Sequence, residues 1–512
     1  MKLGLKIVGA YSAEFNHEQQ KLIVPADDAG DNPQARPLFW AQQQQAITPA
    51  CIVHAKSADD VAAVVRTSRS TGCPFAVRSG GHSDRAGASN CMGCMTVNLA
   101  GLSGVDVDVD VDGNGGTVAR VGAGATWGRV FERLEAPGLA VVGGRLTSVG
   151  VGGLLLGGGL SHFSGKRGWA CDGIRSVELV TANGSVVPHA SASSHPDLFR
   201  ALRGGGGGFG VVTRFDLDAF PQGPLWGGMH VWPLGVGVAP SASGSRVTAA
   251  LVAAFVRFAR DEAPLYPHLS LFAGLGYSPA MPGGFVWAVG QYDTQPREEA
   301  DEPAIFAAFD AQVESDGGVS KMASTARTST LVDFAQELDN SEPPGMRSRF
   351  TTATFKADED LLRHVADIFV AETEKALDSA GLRDDAGFKP MLGIQPLARN
   401  MLQASMDRGG NVLGLDVEDG PLVACSFGWE WSSESDDAVV IAGIKAVLDQ
   451  SVAAARDRGL YHPFKYLNYA AEGQDPLGSY GPENVEFMRR VRATYDPDGL
   501  FTTLVPGGFK LA

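Results

Sequence analysis

The sequence predicts an α+β fold of two domains or of one elaborated catalytic domain, and three observations carry that reading. The chain has 512 residues, more than one compact core usually accommodates. Its N-terminal part alternates strand and helix signals around clusters of glycine. From Trp226 to about Ala455 the pattern changes to longer amphipathic segments with many aromatics, as expected of a second sheet-and-helix unit.

Ordered structure is expected from Ala46, after the polar run Gln42 to Gln45. Cys51 to Ala55 (CIVHA) reads as a strand, Ser57 and Asp60 as a capping box, and Val61, Val64 and Val65 as one helical stripe. Pro74 to Ser79 is the next strand. This βαβ unit places Gly80-Gly81-His82 just past a strand end, where open α/β sheets bind ligands. Val105 to Asp112 alternates Val and Asp, the period of a strand with one wet face. Gly113-Asn114-Gly115-Gly116 should turn it into the strand Thr117 to Val121. Near the end, Pro482 opens a helix with Val485, Met488, Val491 and Tyr495 on one stripe, and Asp496-Pro497 stops it.

Composition excludes several function classes. A net charge of −16 opposes binding to phosphate backbones or anionic membranes, so no nucleic acid or membrane partner is expected. No window approaches a transmembrane span, and the start MKLGLKIVGAYSAEF lacks the apolar stretch of a secretion signal, which predicts a cytoplasmic protein. Six cysteines are too sparse for a disulfide scaffold, and Cys91-x-x-Cys94 has no second pair or nearby His pair for zinc. There is no H-E-x-x-H or H-x-H, and no metal is expected. Asp108-x-Asp110-x-Asp112-Gly113 imitates a calcium loop, but its twelfth position is Ala119. Gly122-Ala123-Gly124 lacks the third glycine of a dinucleotide fingerprint, and Gly165-Lys166 is followed by Arg167 rather than Ser or Thr.

What remains is a set of glycine clusters around one histidine. Arg78-Ser79-Gly80-Gly81-His82-Ser83 offers successive backbone N–H groups that can wrap a pyrophosphate. Ser148-Val149-Gly150-Val151-Gly152-Gly153, Gly157-Gly158-Gly159 and Gly204 to Gly208 with Phe209-Gly210 allow a planar ligand to touch backbone. With Gly168-Trp169-Ala170-Cys171-Asp172, the G-G-x-F-G-V-V stretch ending at Val212, Tyr466-x-Asn468-Tyr469 and the terminal Tyr480-Gly481 to Phe501, these motifs resemble the vanillyl-alcohol oxidase superfamily. The likeness is to its berberine-bridge-enzyme-like branch, in particular fungal members of natural-product pathways.

The resemblance implies a two-subdomain PCMH-type FAD-binding domain plus an α/β substrate domain with an antiparallel sheet. The expected boundaries are 46–225 for the FAD domain, 226–455 for the substrate domain, and 456–512 for a segment returning to the FAD domain. It implies FAD bonded to His82. Leu146 stands where relatives carry a second, cysteine attachment, so a single link is expected. Arg78, Ser79, Gly80, Gly81, Ser83, Ser148, Val149, Gly150, Gly152, Gly153, Gly157, Gly158, Gly159, Asp172, Val211 and Asn468 are expected to contact the cofactor. Tyr466 is the implied catalytic base, and Val149 at the oxygen-gating position implies an oxidase that uses O2 and releases H2O2. Trp287, Tyr292, Trp429 and Trp431 are the expected substrate contacts. The implied reaction is hydride transfer from an alcohol or related centre of a small organic molecule; the alternatives are an oxidative cyclase or an oligosaccharide oxidase.

Overall fold

The computed structural model describes residues 16–25, 38–109, 116–234, 245–281, 283–296 and 301–511. The capping box forms as the sequence requires: Ser57 Oγ accepts the amide of Asp60, and the Asp60 carboxylate accepts that of Ser57. Such a cap stabilises a helix start by about 1 kcal/mol. The helix Ala58–Thr71 then ends at Gly72, whose φ of +70° is left-handed. The strands it joins, Cys51–His54 and Phe75–Arg78, are not neighbours. Met95–Asn98 lies between them, parallel to both, and Ile23–Pro25 closes the sheet. Cys91 and Cys94, in the excursion that leads to that central strand, form a disulfide.

Val105–Asp108 pairs antiparallel with Thr117–Gly122, Val105 opposite Val121. The turn expected at Gly113 to Gly115 lies outside the described residues, as do Asp110 and Asp112. Both strands belong to a six-stranded antiparallel sheet with Leu139–Val141, Ile174–Val180, Val186–Ser191 and Val211–Pro221. The two sheets share one apolar core, to which Leu397, Met401, Val412, Leu413 and the C-terminal Met488, Val491 and Phe501 also contribute. The last three come from or follow the helix Pro482–Tyr495, which begins on its proline.

A nine-stranded sheet is built from the middle of the chain, its central strands running Leu225–Pro233, Phe285–Asp293, Leu269–Tyr277, Lys389–Leu397, Leu422–Trp431 and Arg347–Lys356. Alternation divides its two faces. On Leu422–Trp431, the odd positions Val423, Cys425, Phe427, Trp429 and Trp431 enter a second core with the helices Arg246–Arg257, Glu359–Ala380 and Asp437–Asp457. The even positions Ser426, Gly428 and Glu430 face a cavity.

One expectation fails here. Glu434–Asp457 is long and apolar enough to cross a membrane, with a mean hydropathy of 1.6. It packs Val440, Ile444, Val447 and Ala455 into the second core and carries a Lys445–Asp449 ion pair outside.

Candidate flavin and substrate site

A single cavity of about 970 Å³ runs between the glycine-rich turns and the open face of the nine-stranded sheet. That is near the top of the roughly 300–1,000 Å³ of small-molecule sites. One wall is Ser79 to Ser83, Val149, Gly150, Gly152, Gly153, Gly206 to Gly208 and Val211. The glycines here are a packing requirement. Ser79 Oγ donates to Ala123 O at 2.6 Å and accepts the amide of Gly152 at 3.2 Å, stapling the two turns together. His82 lines this wall with its ring stacked on Trp40, centroids 4.6 Å apart at 14°. Burial pushes its protonation down to about 4, so the imidazole is neutral near pH 7.

The opposite wall carries the polar chemistry. Tyr469 Oη accepts hydrogen bonds from Arg145 at 3.1 Å and from Gln395 Nε2 at 2.9 Å. Phe272 lies under the same guanidinium, 4.8 Å from its ring centre. Glu430 stands opposite Lys389 in strand register, and Glu342 joins them in the lining. Burial raises both carboxyls to about 7, each also raised by a like charge (Asp339 beside Glu342, Glu342 beside Glu430) and opposed by Lys389.

The sequence profile of a FAD binding domain matches residues 49–188. The fold is that of 6-hydroxy-D-nicotine oxidase from Arthrobacter nicotinovorans, with a TM-score of 0.73 over 96% of this chain and 97% of that one at 22% identity. It is also that of glucooligosaccharide oxidase from Acremonium strictum, which carries a 6-S-cysteinyl, 8α-N1-histidyl FAD, with a TM-score of 0.71 at 19% identity over 96% and 97% of the two chains. At the sequence level, the chain is 61% identical to the FAD-dependent monooxygenase FUP4 of Fusarium proliferatum over 510 residues, 100% of this chain and 92% of that one. The chain belongs, with this fungal relative, to a family of FAD-dependent oxidoreductases built on a FAD binding domain.

In this flavoenzyme the glycine cradle fits the cofactor, because it presents bare backbone to the cavity beside a neutral imidazole. Val149, Gly150, Gly152, Gly153, Val211, Tyr466 and Asn468 line the cavity with Ser79 to Ser83. Several expected contacts stand behind the wall instead. Arg78 clips the turn from outside, its guanidinium donating to Leu38 O at 2.6 Å, Gly80 O at 3.2 Å and Asn98 Oδ1 at 3.1 Å. Ser148 backs His82 at 3.1 Å. Gly157 makes room for Asn468, whose Oδ1 would lie 2.1 Å from a Cβ there, and Gly158 and Gly159 have φ of +108° and +90°. Asp172 is buried in a structural knot, accepting from Trp169 N, Arg203 and Asn411.

The four expected substrate aromatics also lie elsewhere. Trp287 donates to Thr248 Oγ1, Trp431 to Asp437, and Trp429 packs edge-on against Phe369 and Phe388, all on the helix side of the sheet. Tyr292 is on the cavity side but is covered by His162 and Phe334. Tyr466 is fully committed: its hydroxyl accepts the amides of Gly159 and Leu160, both at 3.1 Å, and Asn468 Nδ2 at 3.0 Å. Burial raises its pKa further.

Sequence reasoning missed Arg145, Gln395, Tyr469, Lys389, Glu342 and Glu430 as site residues. Tyr469 had a signal, the second tyrosine of Tyr466-x-Asn468-Tyr469; the two carboxylates had none. Among the described residues one trio, His230, Glu302 and Asp310, has metal-ligand spacing. Lys321 Nζ occupies that position, 2.5 Å from Asp310 and 3.3 Å from His230.

Proposed function

We propose that this protein carries FAD bonded to His82 alone and oxidises an alcohol or related centre of a small organic molecule, passing electrons on to O2. The observation that carries this reading is the cavity itself, with His82 and a glycine cradle on one wall and Tyr469, Arg145 and Gln395 on the other. Bound flavin supplies the two-electron acceptor. The remaining work belongs to side chains of this chain.

Tyr469 is the proton acceptor in this reading, replacing Tyr466. Both hydrogen bonds at its oxygen come from donors, so its own proton is free to exchange with a substrate hydroxyl. The Arg145 guanidinium at 3.1 Å is the counter-charge a phenolate needs. Phe272 and Met391 offer an apolar bed, and Glu430 with Lys389 a polar end, for a substrate with mixed character. Leu146 lines the cavity without a thiol, which supports a single attachment.

A second reading, insertion of an oxygen atom, is supported by the monooxygenase name of the relative at 61% identity. Turnover under labelled dioxygen separates the two. The oxidase reading expects H2O2 equal to product across a panel of phenolic, benzylic, amine and oligosaccharide substrates. Label in the product, with substoichiometric peroxide, overturns it. For the attachment, acid-precipitated wild-type protein stays yellow and His82→Ala releases its flavin; flavin retained by the precipitated variant places the bond elsewhere.

A further inference from the structure

The imidazole of His82 is held from two sides. Trp40 stacks on its face and donates its indole N–H to Glu342 O at 3.2 Å. At the ring edge, Nε2 lies 3.1 Å from Ser148 Oγ. The Ser148 hydroxyl and amide both donate to Oδ1 of Asp339, the amide at 3.3 Å, while Thr147 Oγ1 donates to Oδ2 at 2.8 Å. Asp339 belongs to the helix Leu331–Ser341, which lies between two strands of the nine-stranded sheet in sequence yet reaches the flavin wall.

Direction decides the tautomer. A carboxylate only accepts, so the Ser148 proton points to Asp339 and Ser148 Oγ is left to accept from His82. Against the ring's hydrogen bond to its own backbone, this contact favours the proton on Nε2, which leaves the Nδ1 lone pair for bonding. Burial keeps the ring neutral, its protonation pushed down to about 4.

We propose that Ser148 and Asp339 are positioning residues for flavin attachment, holding the His82 proton on Nε2 so that Nδ1 is the nucleophile toward the 8α-methyl carbon of FAD. This rests on the reading that His82 carries the cofactor. In the step, the Nδ1–C8α bond forms and one methyl C–H bond breaks. The imidazole loses its Nε2 proton through Ser148 to Asp339. The electron pair and the methyl proton go to the isoalloxazine ring, giving its anionic reduced form, while the imidazole proton rests on Asp339. Dioxygen then takes two electrons and two protons, one from the ring and one from Asp339, as H2O2 and restores the oxidised ring.

The test uses full-length chain made flavin-free in a riboflavin-starved host and then mixed with FAD. Covalent flavin is followed by in-gel fluorescence after denaturation, and non-covalent binding by flavin fluorescence before it. Ser148→Ala should slow attachment at least about tenfold, the low end of what a positioned proton relay contributes, while non-covalent binding is unchanged. Ser148→Thr keeps the hydroxyl and the rate. Asp339→Asn keeps the acceptor for the Ser148 amide and hydroxyl but cannot take up the ring proton, so it should slow attachment about as much as Ser148→Ala, with melting temperature and non-covalent binding at wild type. A wild-type attachment rate in Asp339→Asn or in Ser148→Ala overturns the relay. A wild-type peptide map with flavin absent from the His82 fragment overturns the attachment reading itself, independently of any variant.

Discussion

Gly80 and Gly150 stand backbone to backbone: a Cβ on Gly150 would fall 2.3 Å from the amide nitrogen of Gly80, and one on Gly80 would fall 2.4 Å from that of Gly150. This contact joins the His82 turn to the turn that carries Val149, so the two flavin-side motifs form one rigid edge. Gly150→Ala should prise them apart, destabilising the protein by about 1–3 kcal/mol, as overpacked sites do. Flavin-to-protein absorbance ratio and melting temperature should both fall. A wild-type ratio would show that the contact is not needed to seat the cofactor.

The two tyrosines of the Tyr466-x-Asn468-Tyr469 motif should separate by readout. Tyr469→Phe is expected to lower kcat by roughly 10²–10⁴-fold, the usual reach of general-base catalysis, with little change in melting. Tyr466→Phe strands the buried amides of Gly159 and Leu160 and should cost about 1–3 kcal/mol of stability for each group left unsatisfied. If Tyr466→Phe melts normally but cannot turn over, the roles are reversed.

Val149 lines the cavity beside the flavin wall. Val149→Leu should slow reoxidation of reduced flavin by oxygen while leaving reduction by substrate nearly intact. Stopped-flow traces with equal reoxidation rates would remove the gate assignment.

Glu342 and Glu430 ionise at an ordinary 4.5 when unfolded and at about 7 when folded. Between those values the folded protein holds protons that the unfolded chain has released. Stability should therefore be highest below about pH 4.5 as far as these two groups are concerned, and fall as pH rises to about 7. Glu430→Gln removes one of the two and should flatten the melting profile in that window. An unchanged slope would mean that the pair is not desolvated. Arg145, Asp339 and Lys389 are the charges that face this pair, so their state should hold across the titration.

How much was legible follows from the range of each signal. Ser57 and Asp60 announced the helix Ala58–Thr71 because a capping box acts within four residues, and Pro482 announced the last long helix for the same reason. Gly80, Gly81 and His82 were legible as a ligand turn because backbone freedom is encoded locally. Alternation in Leu422–Trp431 showed that Trp429 and Trp431 share a face, but period two does not say which face meets the ligand. The bulky rings went to the helix layer, where Phe369 and Phe388 receive Trp429. Glu430 reached the cavity through its register with Lys389, a long-range pairing that leaves no local mark. The same limit hid Met95–Asn98 between the first two strands of the βαβ unit.

Much of the substrate face of the nine-stranded sheet is small: Gly274, Gly276, Ala288, Gly393, Ser426 and Gly428. Not all of these absences are equivalent. A Cβ at Gly393 or Gly428 would strike Ser426 Oγ at 2.5 Å or Phe350 at 2.4 Å, whereas at Gly274 and Gly276 the nearest atoms are 3.3 Å and 3.5 Å away. The floor thus has one vacant plot, at Gly276, and beside it on the same strand Gly274, where a methyl fits once the flexible end of Met391 yields a few tenths of an ångström. Adapting this chamber to a smaller guest is a matter of building upward at two positions; adapting it to a larger one would require moving walls.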